Sequence, residues 1–194
     1  VVAQGMAKLA ELLARIADEA DTDIPSLARG CLLVLGQQLQ ELQLKIGEVE
    51  RALHGWHRSN EVSRRLATIP GIGPITASAL AVTVTDPTLF RSGRHLAAWL
   101  GLVPRQNSSG GKERLGGISK QGDRYIRRLL ISGAHAVLQY AKRGRPGSSW
   151  ATGLLQRRPF KLVAVALANK TARIAWALLA RGETYRSMPE ACAT

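Results

Sequence analysis

A mainly α-helical protein is what this sequence predicts, and three observations carry that expectation. Between Ala28 and Trp56, apolar residues recur at alternating spacings of four and three. From Asp123 onward, apolar residues again fall at helical spacing. The stretch from Phe160 to Leu179 is apolar on both sides, as a buried helix is. The expected architecture is a long coiled-coil helix, then a helical hairpin, then a compact helical domain around a serine-bearing loop. A small β-hairpin has room near 102–118. The expected organisation is a helical extension over 1–59, a domain over 60–185 and a tail over 186–194.

Residues 6–18 read as a short amphipathic helix ending in the acidic turn Asp18–Asp23. Pro25 suits the first turn of the long helix that follows. In that helix Ala28, Leu32, Leu35, Leu39, Leu42, Ile46, Val49, Leu53 and Trp56 form the a/d seam of a coiled coil. The seam pairs either with a second subunit, giving a homo-oligomer, or with residues 6–18 of its own chain. His54 and His57 stand three apart with no Cys, Asp or Glu to complete a metal set, so they read as ordinary helix-end residues.

Asn60 or Ser59 caps a short helix through Ala67, and residues 66–84 then read LATIPGIGPITASALAVTV. Two helices joined by Pro-Gly-Ile-Gly, with Pro74 opening the second, resemble the helix-hairpin-helix of DNA repair and recombination proteins. In that motif the amides around positions such as Gly71 and Gly73 grip a phosphate without reading sequence. The stretch has no net charge, so packing alone is the competing role.

Asp86-Pro87 breaks the chain, and Ser92 caps a helix through Leu100. Next comes GLVPRQNSSGGKERLGGISKQGDRYIRRLL, from Gly101 to Leu130. Its first part holds Ser108, Ser109, Ser119, Arg105, Lys112, Arg114 and Lys120 among Gly110, Gly111, Gly116 and Gly117. Glycine lets a backbone approach a ligand closely, and successive amides can cradle an anion. From Asp123, the expected cap, a helix places Ile126, Leu129, Leu130, Gly133 and Val137 on one face. Arg124, Arg127, Arg128 and His135 fall on the other. Residues 149–158 form a further helix. Lys170 and Arg173 intrude on the last apolar helix, where buried cations need partners or phosphates.

Charge narrows the function. The net charge is +13, and it is concentrated: residues 87–182 hold 18 Lys/Arg against 2 Asp/Glu, whereas residues 1–60 hold 6 against 8. Such an excess implies a polyanionic partner. No stretch reads as a membrane anchor or signal peptide. Cys31 and Cys192 lack metal spacing, which implies a reduced, cytoplasmic protein. The chain starts Val-Val-Ala-Gln and is read as a fragment of something longer.

In combination, IPGIGPITA, then FRSGRHLAAWLGLVPRQNSSGGKERLGGISKQGDRYIRRLL, then ALANKTARIAWALL resemble a family. They look like the C-terminal part of bacterial insertion-sequence transposases that pair a RuvC-like acidic domain with a serine-bearing domain, the bridge-RNA-guided recombinases. The resemblance covers roughly residues 60–185. It implies DNA and a structured guide RNA as partners. It also implies a serine nucleophile in the loop after Gly-Leu-x-Pro. The family motif maps onto Ser109 followed by Gly110, with Ser108 as the other register. Mg2+ would belong to the RuvC-like domain, which this sequence lacks; no metal or cofactor site is expected in the chain itself. Two other classes stay open: a non-catalytic nucleic-acid-binding module and a coiled-coil assembly domain.

Overall fold

A computed structural model describes residues 6–17, 25–107, 115–143 and 149–186. The order is α1 (Met6–Ala17), α2 (Ser26–Ser59), α3 (Glu61–Leu66) and α4 (Pro74–Thr83). A short 3-10 turn at Pro87–Leu89 precedes α5 (Gly93–Trp99). Then come β1 (Pro104–Gln106), β2 (Leu115–Ile118), α6 (Arg124–Lys142), α7 (Ser149–Leu155) and α8 (Phe160–Arg181). The protein is mainly helical with one small antiparallel hairpin, as the sequence predicts. Two compact units divide within α2, between Ala52 and Leu53.

In the first unit, α1 meets the early part of α2. Ile16 is buried, and its carbonyl accepts a 2.6 Å hydrogen bond from Arg29. Gly36 is buried against Leu13, where an added Cβ would crowd the leucine methyls. The α2 face that α1 covers here holds Gly36, beside the seam and not on it, and the early seam residues Leu32 and Leu35 are 38% and 60% exposed. Farther on, Leu42 is 56%, Ile46 57% and Val49 66% exposed, so the seam continues as an apolar stripe on the surface.

The second unit is built around α8. Ala164, Ala168, Ala172 and Ala175 are fully buried, and these short side chains let α5 and α6 lie close to the helix axis. At Gly93 the approach is tight enough that a Cβ would stand 2.9 Å from the Arg173 carbonyl oxygen. Leu66, Leu80, Leu96, Leu130 and Leu138 fill the remaining core. By length and composition α8 could cross a bilayer, with a mean hydropathy of 1.4. Its place at the centre of this core accounts for that composition.

Side-chain caps set the helix starts at the expected residues. Asn60 accepts from the Ser63 amide at 2.8 Å, Ser92 from His95 at 3.3 Å, and Asp123 from Ile126 at 2.8 Å. Asp86 accepts from the Thr88 amide at 2.9 Å where the chain breaks. His57 Nδ1 lies 2.7 Å from Ser63 Oγ, which itself lies 3.3 Å from Ser78 Oγ, so this histidine ties α2 to the α3–α4 pair.

Candidate nucleic-acid interface

The serine-bearing loop leaves α5 and returns to α6 across a base that is tied at several points. β1 and β2 pair with Pro104 opposite Ile118 and Gln106 opposite Leu115, with a register shift between them. Below the hairpin, the Ser119 amide donates to the Val103 carbonyl at 2.8 Å and the Lys120 amide to Gly101 at 3.1 Å. Gly101 and Gly122 have φ of 70° and 78°, a region that side chains rarely adopt. A Cβ on Gly101 would overlap the Gln121 carbonyl oxygen, and one on Gly122 the Trp99 carbonyl oxygen. The two strands of the base thus touch backbone to backbone.

Arg127 locks this base from beneath. It is 8% exposed, and its guanidinium donates at 2.9 Å to both Leu100 O and Gln121 O. One cation therefore bridges the departing and the returning chain. Hydrogen bonds from a charged donor contribute about 1.5–3 kcal/mol each. From the other side, Asn169 of α8 donates to Leu102 O at 3.0 Å. Sequence reasoning misses Asn169; the signal for it is an amide side chain within an otherwise apolar helix.

The expectation that Arg127 shares an outward stripe with Arg124, Arg128 and His135 is corrected. Arg127 points inward to the carbonyls just described. His135 is half-buried, with its ring edge to face with Phe160 at 5.3 Å between centroids. Arg124 and Arg128 are exposed, and Arg128 lies over the Tyr125 ring at 5.6 Å. The buried face of α6 is Ile126, Arg127, Leu130, Ala134 and Leu138. It is rotated around the helix from the expected one, of which it keeps Ile126 and Leu130.

The other candidates fall as follows. Arg105 is exposed and donates to Ser119 O at 3.1 Å. Lys120 is exposed with a left-handed φ of 57° at the hairpin base. Arg173 is exposed, and Lys170 sits 4.5 Å over the Trp150 ring, so neither cation is stranded in the core. Gly71 packs against Gly133 of α6, while Gly73 is exposed and precedes α4 without a side-chain cap. Ser108, Ser109, Gly110, Gly111, Lys112 and Arg114 lie outside the described residues.

Arg105 and Lys120 lie at the loop base and Arg124 and Arg128 on the first turns of α6 just after it, all four exposed in a stretch with very few acids. Among the described residues no group of three His, Cys, Asp or Glu side chains could hold a metal ion. Those residues do not fit a divalent-metal centre.

Residues 63–146 match the model of the Transposase IS116/IS110/IS902 family. The chain is 48% identical over 184 residues to the "Probable family 20 transposase" of Pseudomonas aeruginosa, covering 94% of this chain and 54% of that protein. It is 44% identical over 177 residues to the "Transposase for insertion sequence element IS1111A" of Coxiella burnetii, covering 91% of this chain and 48% of that one. A shorter segment of 51 residues is 47% identical to the "Pilin gene-inverting protein" of Moraxella bovis, 26% of this chain and 16% of that protein. The chain spans about half the length of the curated transposases it matches here.

Proposed function

We propose that this chain, whose residues 63–146 match the model of the Transposase IS116/IS110/IS902 family, is the part of a DNA transposase or recombinase that supplies a serine nucleophile and holds nucleic acid. The observation that carries this reading is the tied loop base. Arg127, Asn169 and the close approaches at Gly101 and Gly122 fix both ends of the Ser-Gly segment beside exposed cations. Preorganised donors and cations stabilise charge as it develops on a phosphate, without reorganising during the reaction.

In this mechanism Ser109 Oγ attacks a DNA phosphorus. A new bond forms between serine oxygen and phosphorus, a bridging P–O bond breaks, and the serine proton ends on the departing hydroxyl. Strand exchange is the reverse attack by another strand's hydroxyl, which frees the serine. A serine needs activation to attack. The acidic Mg2+-binding residues of a RuvC-like domain are expected elsewhere in the full-length protein. The cationic excess of residues 87–182 suits a structured guide RNA as well as DNA. The exposed seam of α2 suits self-association, and the helix-hairpin-helix amides near Gly73 suit a phosphate contact. Such a protein acts in the bacterial cytoplasm.

The test is covalent trapping with the full-length protein. Ser109→Ala should abolish the protein–DNA adduct that survives denaturation, while affinity, which rests on cations, stays nearly intact. Adduct retained by Ser109→Ala but abolished by Ser108→Ala would move the nucleophile by one residue. Recombination by the double variant would sink the serine mechanism.

A further inference from the structure

The end of α6 farthest from the serine loop carries a second cluster of cations. Lys142 and Arg143 close α6, and both are exposed. The Lys142 ammonium sits 4.7 Å over the ring of Phe160, the first residue of α8. Phe160 is flanked in the chain by Arg157, Arg158 and Lys161, all exposed. The contact of Lys142 with Phe160 thus brings the end of α6 beside the segment that carries Arg157, Arg158 and Lys161. No Asp or Glu occurs between Asp123 and Glu183, so the 59 intervening residues offer nothing to neutralise them.

Helix electrostatics explains only part of this cluster. Lys142 and Arg143 suit the negative end of the α6 dipole. Arg157 and Arg158 follow the C-terminus of α7, where both amides donate to the Leu154 carbonyl, and suit its negative end as well; Lys161, in the first turn of α8, sits at a positive end that disfavours it. Like charges packed together also repel. The repulsion among these cations, which no nearby acid in the chain relieves, is relieved when an anion binds among them.

Geometry links this corner to the loop base. At 100° per residue, Arg124, Arg128, Ser132, Ala136, Gln139, Lys142 and Arg143 fall within one third of the helix circumference. All of them are exposed. The face is cationic at both ends, with small or neutral side chains between. From Arg124 to Lys142 the axis runs about 27 Å at 1.5 Å per residue. That is about eight base pairs at 3.4 Å each.

We propose that Lys142, Arg143, Arg157, Arg158 and Lys161 form a second phosphate-binding surface for duplex DNA, which lies along the outer face of α6 and reaches the cations at the loop base about eight base pairs away. This rests on the nucleic-acid reading above and adds the position and path of the duplex. Phosphate contacts of this kind position DNA without reading sequence.

The experiment measures affinity against salt for a blunt duplex DNA about twice that length. Variants are the quadruple Lys142→Ala, Arg157→Ala, Arg158→Ala, Lys161→Ala and the double Arg124→Ala, Arg128→Ala. All six side chains are exposed, so the fold should persist, which circular dichroism checks. For every phosphate that a variant no longer neutralises, the slope of log affinity against log salt should fall by about 0.9. The quadruple should therefore drop by about 2–4 in slope, additively with the double, and Arg157→Lys with Arg158→Lys should keep the full slope. An unchanged slope in the quadruple, with a reduced one in the double, would overturn this surface and leave the nucleic-acid reading standing. A quadruple whose slope falls on duplex RNA but not on duplex DNA would overturn it too. Salt-insensitive binding by the unmodified protein would remove both.

Discussion

Gly71 and Gly133 meet backbone to backbone. A Cβ built on Gly133 would overlap the Gly71 carbonyl oxygen, and one on Gly71 would stand 3.0 Å from Gly133 O and from a Val137 methyl. The turn between α3 and α4 is therefore seated directly on α6, the helix that also carries the cations at the loop base.

Gly133→Ala tests that seat, because two effects oppose each other. In an exposed helix interior, alanine would stabilise by about 1 kcal/mol relative to glycine. Here the methyl must push the turn away, and overpacking of this kind typically costs about 1–3 kcal/mol. Thermal or urea denaturation should show a net loss of stability; a gain would mean that the turn yields freely.

Arg127→Met should destabilise by leaving the carbonyls of Leu100 and Gln121 without their donor, at about 1–3 kcal/mol for each group left unsatisfied. Because the side chain is buried, the salt dependence of nucleic-acid binding should be the same in Arg124→Ala, Arg128→Ala as in the triple variant that adds Arg127→Ala. A further drop in slope in the triple variant would place Arg127 against phosphate instead.

Arg127 also marks where the sequence stops being legible. The α6 start, its Asp123 cap and the close approach at Gly133 follow from local rules, as do the caps at Asn60 and Ser92. The buried face of α6 does not. A 3.6-residue period locates an apolar arc but cannot show that α8 lies to one side of it and the hairpin turn to the other. With both in place, the covered arc shifts to include Arg127, Ala134 and Leu138. Burying an arginine is tolerable only because two carbonyls from separate segments converge on it, and no local pattern encodes that convergence. Lys170 is similar: the aromatic face that receives it comes from α7.

The α2 seam gives a prediction about assembly. If Leu42 and Ile46 are covered by a second subunit, Leu42→Asp with Ile46→Asp would bury unpaired carboxylates there, a strongly destabilising change of about 3–5 kcal/mol or more. Sedimentation should then show a smaller species with helical content retained in the second unit. An identical sedimentation profile before and after would leave this stripe without a self-association role.

Asp86 gives a prediction about pH. The Thr88 hydroxyl, and then the Thr88 amide, hold its carboxyl below the ordinary carboxylate range. A group with a depressed folded pKa stabilises the fold above its unfolded pKa, and that contribution disappears as pH falls through the folded value. Asp86→Asn should therefore match the unmodified protein in strong acid, fall behind it as the pH rises from the depressed folded value through the ordinary carboxylate value, and show its full deficit above that. The contribution is small at a fully exposed site. A constant gap at every pH would assign the difference to the turn's geometry.

The ties at 100–104 and 118–122 make the hairpin base a socket closed by its own backbone contacts. Arg127, Asn169 and the glycine approaches engage backbone atoms of the socket at Trp99, Leu100, Leu102 and Gln121. Lengthening the segment between Gln106 and Leu115 would then add only loop entropy, about 0.6 kcal/mol for each doubling. Related chains could therefore exchange loops of different length and composition at this point while keeping the helices beneath them unchanged, which makes the segment a natural place for sequence to diverge without loss of fold.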